Sequence, residues 1–206
     1  MDLIRERAQI YKELLGIEYF YTLAYKNKTS KIKIQFYKND FSHLIGFHKL
    51  KDIESYLGKR SNIIERILKG RIKYNKIKNS KNYNHIDKRL IEFVKIRDVL
   101  ENENSVFKIN TNISKTKIPI DYIITISSDN ELNPLEHLIL CLKIENQGKN
   151  SINCCCVSFL VEDNIDFYIN NQLKYTVLKK EKYNKLRDTK ETIYLNPILC
   201  DCKESL

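Results

Sequence analysis

From residue 105 onward the apolar residues of this chain recur at every second position. Val157, Phe159 and Val161 alternate with Ser158, Leu160 and Glu162. A period of two belongs to strands with one buried face, because successive side chains leave a strand on opposite sides. Strands are expected at 105–110, 120–127, 137–145, 152–162, 165–169 and 173–179, with Asn170-Asn171 as a turn. No helical crossover separates them, so the sheet is expected to be mostly antiparallel. Upstream the pattern is mixed. Residues 2–15 have a helical stripe, with Asp2 placed to cap it and Gly16 to end it. Residues 17–25 and 31–37 alternate around Asn27–Ser30, which reads as a hairpin. Helices are expected at about 41–56, at 61–68 with Ser61 as cap, and at 85–100. Residues 71–79 read equally well as a turn of helix or an extended loop. A short helix is expected at 180–187, followed by a ragged tail.

The class is therefore α+β: an N-terminal helix and β-hairpin, central helices, and a C-terminal mostly antiparallel sheet. Three Pro and five Gly are too few for a turn-rich sandwich. No repeat or composition shift marks a linker, so residues 1–206 read as one domain. Its helical and basic part is about 40–100, its sheet part about 105–180 and its tail about 181–206. The thiols of Cys154-Cys155-Cys156 alternate between the faces of a strand, which suits small buried hydrophobes better than a metal cage. Cys200-Asp201-Cys202 is a weaker metal or redox candidate. There is no apolar leader, and no stretch is apolar enough to span a membrane. The expected setting is cytoplasmic, with reduced thiols.

Charge is unevenly placed. Residues 1–100 hold 23 Lys/Arg against 11 Asp/Glu, and residues 59–97 alone hold 13 against 3. A localised excess of this kind suits a surface that draws phosphate backbones toward it, the alternative being a solvated basic face in a chain rich throughout in Lys, Ile, Asn and Tyr. Arg71, Lys73, Lys76, Lys78 and Lys88 are the expected RNA contacts.

Several site signatures are missing: a Gly-rich phosphate loop, His-Glu-x-x-His, Gly-x-Ser-x-Gly, and acidic clusters fit for two magnesium ions. Asp121 and Asp129 stand alone. Chemistry instead points to Phe41-Ser42-His43-Leu44-Ile45-Gly46-Phe47-His48-Lys49-Leu50, which holds two of the four histidines. Cleaving RNA without a metal needs a base for the ribose 2′-hydroxyl, an acid for the leaving 5′-oxygen, and a cation for the phosphoryl charge. Histidine suits the first two roles and Lys or Arg the third. On one continuous helix, however, positions five apart diverge by about 140°. Either the helix starts after His43, or only one histidine acts. Gly46 in mid-helix costs ~1 kcal/mol relative to Ala and asks for a reason, such as a close approach.

The block Phe36-x4-Phe41-Ser42-His43-Leu44-Ile45-Gly46-Phe47-His48-Lys49-Leu50-Lys51-Asp52-Ile53 resembles the N-terminal signature of a phage- and mobile-element-associated branch of the barnase–EndoU–colicin–RelE (BECR) nuclease superfamily. Gly70-Arg71-Ile72-x-Tyr74, Lys88-Arg89, Asp121-Tyr122-Ile123-Ile124 and Ser158-Phe159-Leu160-Val161-Glu162 fit its later blocks. The resemblance covers roughly residues 2–183. It implies helices packed on a small antiparallel sheet and a toxin-like ribonuclease of phage and plasmid conflict that needs no metal or other cofactor. RNA is then the partner, with room for a cognate inhibitor protein. Carried over residue by residue, the site is His43, His48, Lys49, Arg89 and Ser158, with His48 the first choice for acid or base. Lys49 and Arg89 would hold phosphate and Ser158 would orient it. The competing expectation is a non-catalytic module on the same fold that binds nucleic acid or a host protein.

Overall fold

The computed structural model describes residues 2–113, 116, 118–128 and 136–197. Asp129 and Cys200-Asp201-Cys202 lie outside the described residues. Helix α1 (Leu3–Leu14) opens the chain. The Asp2 carboxylate accepts from the Ile4 amide at 3.1 Å, as an N-cap should. Ile4, Ala8, Tyr11 and Leu14 form the buried stripe. Strands β1 (Ile17–Tyr25) and β2 (Lys28–Gln35) make the expected hairpin.

The long helix expected at 41–56 does not exist. It is replaced by α2 (Phe41–Leu44), 3₁₀ turns at Phe47–Lys49 and Lys51–Ile53, and α3 (Glu54–Leu57). The break is at Gly46, whose φ of +82° lies in the left-handed region that residues with a Cβ avoid. Apolar spacing cannot reveal this, because Phe41, Leu44, Ile45, Phe47, Leu50 and Ile53 are all buried and point inward around a turn as well as along a helix. Next come α4 (Ile63–Leu68) and α5 (Tyr74–Lys78), so the 71–79 ambiguity resolves as a short helix. The helix expected at 85–100 is also divided, into α6 (Asp87–Glu92), a 3₁₀ turn at Phe93–Lys95, and α7 (Ile96–Glu101). Here the cause is Arg7. Its guanidinium donates to the carbonyls of Leu90 and Ile91 at 2.9 and 2.8 Å, taking acceptors that a continuous helix would use.

The sheet strands are β3 (Ser105–Lys108), β4 (Tyr122–Ser128), β5 (Glu136–Gln147) and β6 (Ile152–Glu162). After them come helix α8 (Asp166–Ile169) and strands β7 (Leu173–Asn184) and β8 (Thr189–Leu195). Two expectations fail here. Residues 165–169 are a helix rather than a strand, started by the Asn164 side chain accepting from the Asp166 amide at 2.8 Å. Residues 180–184 continue β7 instead of turning helical, because β1 pairs along them from Ile17↔Asn184 to Ala24↔Thr176. The expected ragged tail likewise contains β8, paired along β7.

The pairing runs β1-β2-β6-β5-β4-β3-β7 and returns from β7 to β1, so seven strands close a barrel. Strand β8 extends the sheet from the edge of β7 beyond β3, which occupies only Leu173–Tyr175 of that edge. Every pairing is antiparallel except β2–β6. That parallel seam is short, from Ile32↔Ile152 to Gln35↔Cys155. Beyond Cys155 strand β6 loses β2 as a neighbour, and α2 and α6 pack against β6. The main core joins the helices to the inner strand face, with Phe93 edge-on to Phe159 at 5.5 Å. Cys154 and Cys156 are buried in it while Cys155 faces the other way. A smaller core on the outer face of β4, β5 and β6 is covered by Ile109, Ile118, Ile120, Ile165, Tyr168 and Ile169.

Candidate active site

The Gly46 turn overturns the angular argument that kept the two histidines apart. By reversing the chain locally it brings the His43 and His48 rings side by side in a tilted pair, with centroids 5.0 Å apart and planes inclined at 33°. A Cβ on residue 46 would stand 2.7 Å from Ile86 Cγ2 and 3.4 Å from an Arg89 nitrogen. The glycine therefore permits both the turn and the approach of the 86–89 segment. Asp52 ties the same two segments together, accepting from Ser80 Oγ (2.6 Å), the Lys81 amide (3.0 Å) and Asn82 Nδ2 (3.2 Å).

Around the ring pair the basic groups converge. Arg89 is 7% exposed and donates to the His43 carbonyl at 3.3 Å. Lys49 Nζ donates to the His85 carbonyl at 3.3 Å. Arg60 Nη1 lies 2.6 Å from His43 Nε2. Arginine can only donate, so His43 Nε2 must offer its lone pair and the ring is neutral in this arrangement. Among the described residues none of His43, His48, Lys49, Arg60 and Arg89 takes part in an ion pair. His48 Nδ1 is buried with no hydrogen-bond partner among the described residues.

The electrostatic result is mutual. Burial first, and then His43, Arg89, Lys49 and Arg60, push His48 down to about 4. Burial and Arg60 lower His43. Burial and Arg89 lower Lys49, against an opposing pull from Glu162. A cleft of about 200 Å³ opens beside the cluster, between Lys49, residues 84–89, Val161 and Glu162. Tyr168 on α8 donates to Glu162 at 3.1 Å and so holds the far wall.

Four of the five expected catalytic residues thus meet. Ser158 is the exception: it is buried on β6 opposite Cys141, at 5% exposure, and joins none of these hydrogen bonds. Arg60 and Glu162 were not singled out from sequence. Arg60 lies in the basic run already noted, and Glu162 closes a block quoted for its resemblance, but only folding brings either to the histidines. Of the expected RNA contacts, Arg71, Lys73, Lys76 and Lys78 are exposed on and before α5. Lys88 differs, because Glu136 and Asp163 bind its ammonium at 3.1 and 3.2 Å.

A larger cavity of about 630 Å³ lies elsewhere, where β3 ends between β4 and β7. None of the expected catalytic residues lines it. Its one buried cation, Lys180, is spent on the Asn102 carbonyl and on the faces of Tyr21 and Tyr194.

Comparison with known proteins agrees with the geometry. Residues 3–196 match the family model PBECR4, described as phage-Barnase-EndoU-ColicinE5/D-RelE like nuclease. That span is most of the chain, and the chain belongs to this nuclease family. No curated protein and no solved structure matches it. No helix among the described residues is long and apolar enough to cross a membrane.

Proposed function

We propose that the protein is an endoribonuclease that cleaves RNA by attack of the ribose 2′-hydroxyl on the adjacent phosphorus, without a metal. One observation carries the reading: two neighbouring histidines inside a set of basic groups that forms no ion pair among the described residues, with Glu162 acting on it only from across the cleft. Folding has gathered like charges and left them unpaired, which costs stability unless an anion belongs there.

His48 is the base. Its lowered pKa keeps the ring neutral near pH 7, free to accept the 2′-hydroxyl proton. The oxygen attacks phosphorus, the bond to the 5′-oxygen breaks, and a 2′,3′-cyclic phosphate remains. Lys49, made more acidic by burial and by Arg89, returns a proton to the leaving oxygen. Arg89 and Arg60 face the charge that gathers on the phosphoryl oxygens. When Arg60 turns to phosphate it releases His43 Nε2, so His43 becomes a second group able to move a proton. Ser158 belongs to the wall that fixes β6. The exposed lysines of α5 extend the RNA track, and the setting is a cytoplasmic conflict between phage or plasmid and host.

The test is incubation of the purified protein with RNA in EDTA, followed by end-group analysis. Cleavage leaving 2′,3′-cyclic phosphate ends is expected. Loss of all cleavage on chelation, or equal cleavage of DNA, overturns the proposal. A folded His48→Ala protein that still cleaves would favour a different site. If neither it nor the parent cleaves but both bind RNA, the non-catalytic module is correct.

A further inference from the structure

The outer face of the barrel is covered over β4, β5 and β6, but among the described residues no core cluster covers it over β2, β1, β7 and β8. Those four strands are consecutive neighbours and all antiparallel. Register places their outward residues in rows. Lys33 faces Phe20, which faces Glu181, which faces Thr192. In the next row Glu18 faces Tyr183, which faces Lys190. The half-buried Phe20 ring has three ammonium groups near it, from Lys190, Lys31 and Lys33, at 5.1, 5.2 and 5.9 Å.

The charge on this face does not balance. Glu181 pairs with Lys31, Lys179 and Lys190 at 3.2, 2.9 and 3.0 Å. Glu18 pairs with Lys33 and Lys185 at 2.9 and 3.2 Å. Two carboxylates thus hold five lysines; with Asp188, which accepts from the Tyr183 hydroxyl at 2.7 Å, these described groups leave a surplus of two positive charges. The acids space the lysines and leave the face positive.

We infer that this four-stranded face is a platform for single-stranded RNA, with Phe20 and Tyr183 stacking bases and Lys31, Lys33, Lys179, Lys185 and Lys190 meeting phosphates. Flat aromatic groups on a sheet, ringed by cations, take unpaired bases of any sequence, because every base presents a π-face. A duplex has no such face to give. The inference rests on the proposed function only for RNA as the ligand. It also adds reach. Lys33 pairs with Asn153 at the start of β6, and Glu162 of the cleft lies at the other end, roughly 30 Å away at the usual strand rise. An RNA that touches both is several nucleotides long.

The experiment measures anisotropy of a labelled single-stranded RNA of roughly 12 nucleotides, a length suited to such platforms, in the His48→Ala background. Phe20→Leu keeps an apolar side chain and removes the stacking face; Lys33→Gln and Lys190→Gln remove charge. Phe20→Leu should weaken binding about tenfold. Each lysine change should shallow the slope of log affinity against log salt by about 0.7. In the parent protein the same changes should raise KM for the long RNA and leave cleavage of a dinucleotide unaltered. Unchanged affinity and slope in all three folded variants overturns the inference, as does a duplex of equal length binding as tightly. Should Phe20→Leu fail to fold, the lysine variants decide alone. If the long RNA binds in this pattern but is never cut, the proposed function fails and the platform stands.

Discussion

Two groups of cations in this protein are built on opposite rules. On the outer face, lysines surround Glu181 and hold its carboxyl down at about 2, against desolvation that pulls the other way. In the His43–His48 cluster, basic groups surround one another and hold His48 down at about 4. Both shifts are downward, but the first arises from attraction and the second from burial and repulsion. On the outer face carboxylates fix each lysine in place, which contributes to the fold while a positive surplus is kept. In the histidine cluster no ion pair forms among the described residues, and the cations face the cleft unfixed by any carboxylate.

The strongest way to break this comparison is to remove the proposed base. His48→Ala should cut RNA cleavage by about 10² to 10⁴ while circular dichroism stays unchanged. Unfolding on substitution would show that the ring serves packing, which its unpartnered Nδ1 argues against. Arg89→Lys comes next. It keeps the charge but loses the planar fork that reaches the His43 carbonyl, so activity should fall at least about tenfold. Full activity would remove Arg89 from the phosphate role.

Gly46→Ala tests the turn that assembles the cluster. A left-handed φ and a 2.7 Å clash with Ile86 should cost about 1–3 kcal/mol. Chemical denaturation reads this directly, and activity should fall with it. An alanine accepted without loss would mean that Ile86 and the turn yield easily.

Acid titration separates the two groups by window. The His48 ring takes a proton near 6.5 when unfolded but near 4 when folded, so the unfolded chain binds more protons in between. Stability should therefore fall as pH drops from about 6.5 to about 4, and His48→Gln should flatten that limb. Inorganic phosphate should flatten it too, by supplying the missing anion. Glu181 acts lower: its folded pKa of about 2 lies below the ordinary 4.5, so its contribution is lost as pH falls between those values. Glu181→Gln should change only that lower limb. The smallest effect is expected from Lys88→Ala. Its ammonium is held by Glu136 and Asp163, so cleavage should stay within about twofold.

Much of the sheet was legible because strands announce themselves by a period that each residue states locally. The strands at 17–25 and 152–162 come through to the residue, while the second strand of the hairpin runs Lys28–Gln35 rather than 31–37 and takes in part of the expected turn. Barrel closure was not legible, since it depends on Ile17–Ala24 pairing with Thr176–Asn184 and no local pattern encodes a distant partner. Residues 41–56 and 85–100 misled for a related reason. Buried side chains inside a turn keep helical spacing, and only Gly46 and the reach of Arg7 decide otherwise. His43, His48, Lys49 and Arg89 could be found as types in a basic setting. Arg60 could not, because its role is a contact across a fold that the sequence does not display.

The short parallel seam between β2 and β6 has a consequence in time. Residues 32–35 wait for residues 152–155, and β1 waits for β7. A ribosome must therefore make most of the chain before the barrel can shut. The histidine turn is translated early, but the β6 wall with Glu162 arrives late and is the piece that completes the cleft. A half-made chain carries the histidine pair without its groove. Synthesis order thus delays assembly of the cleft until residues 152–184 have left the ribosome.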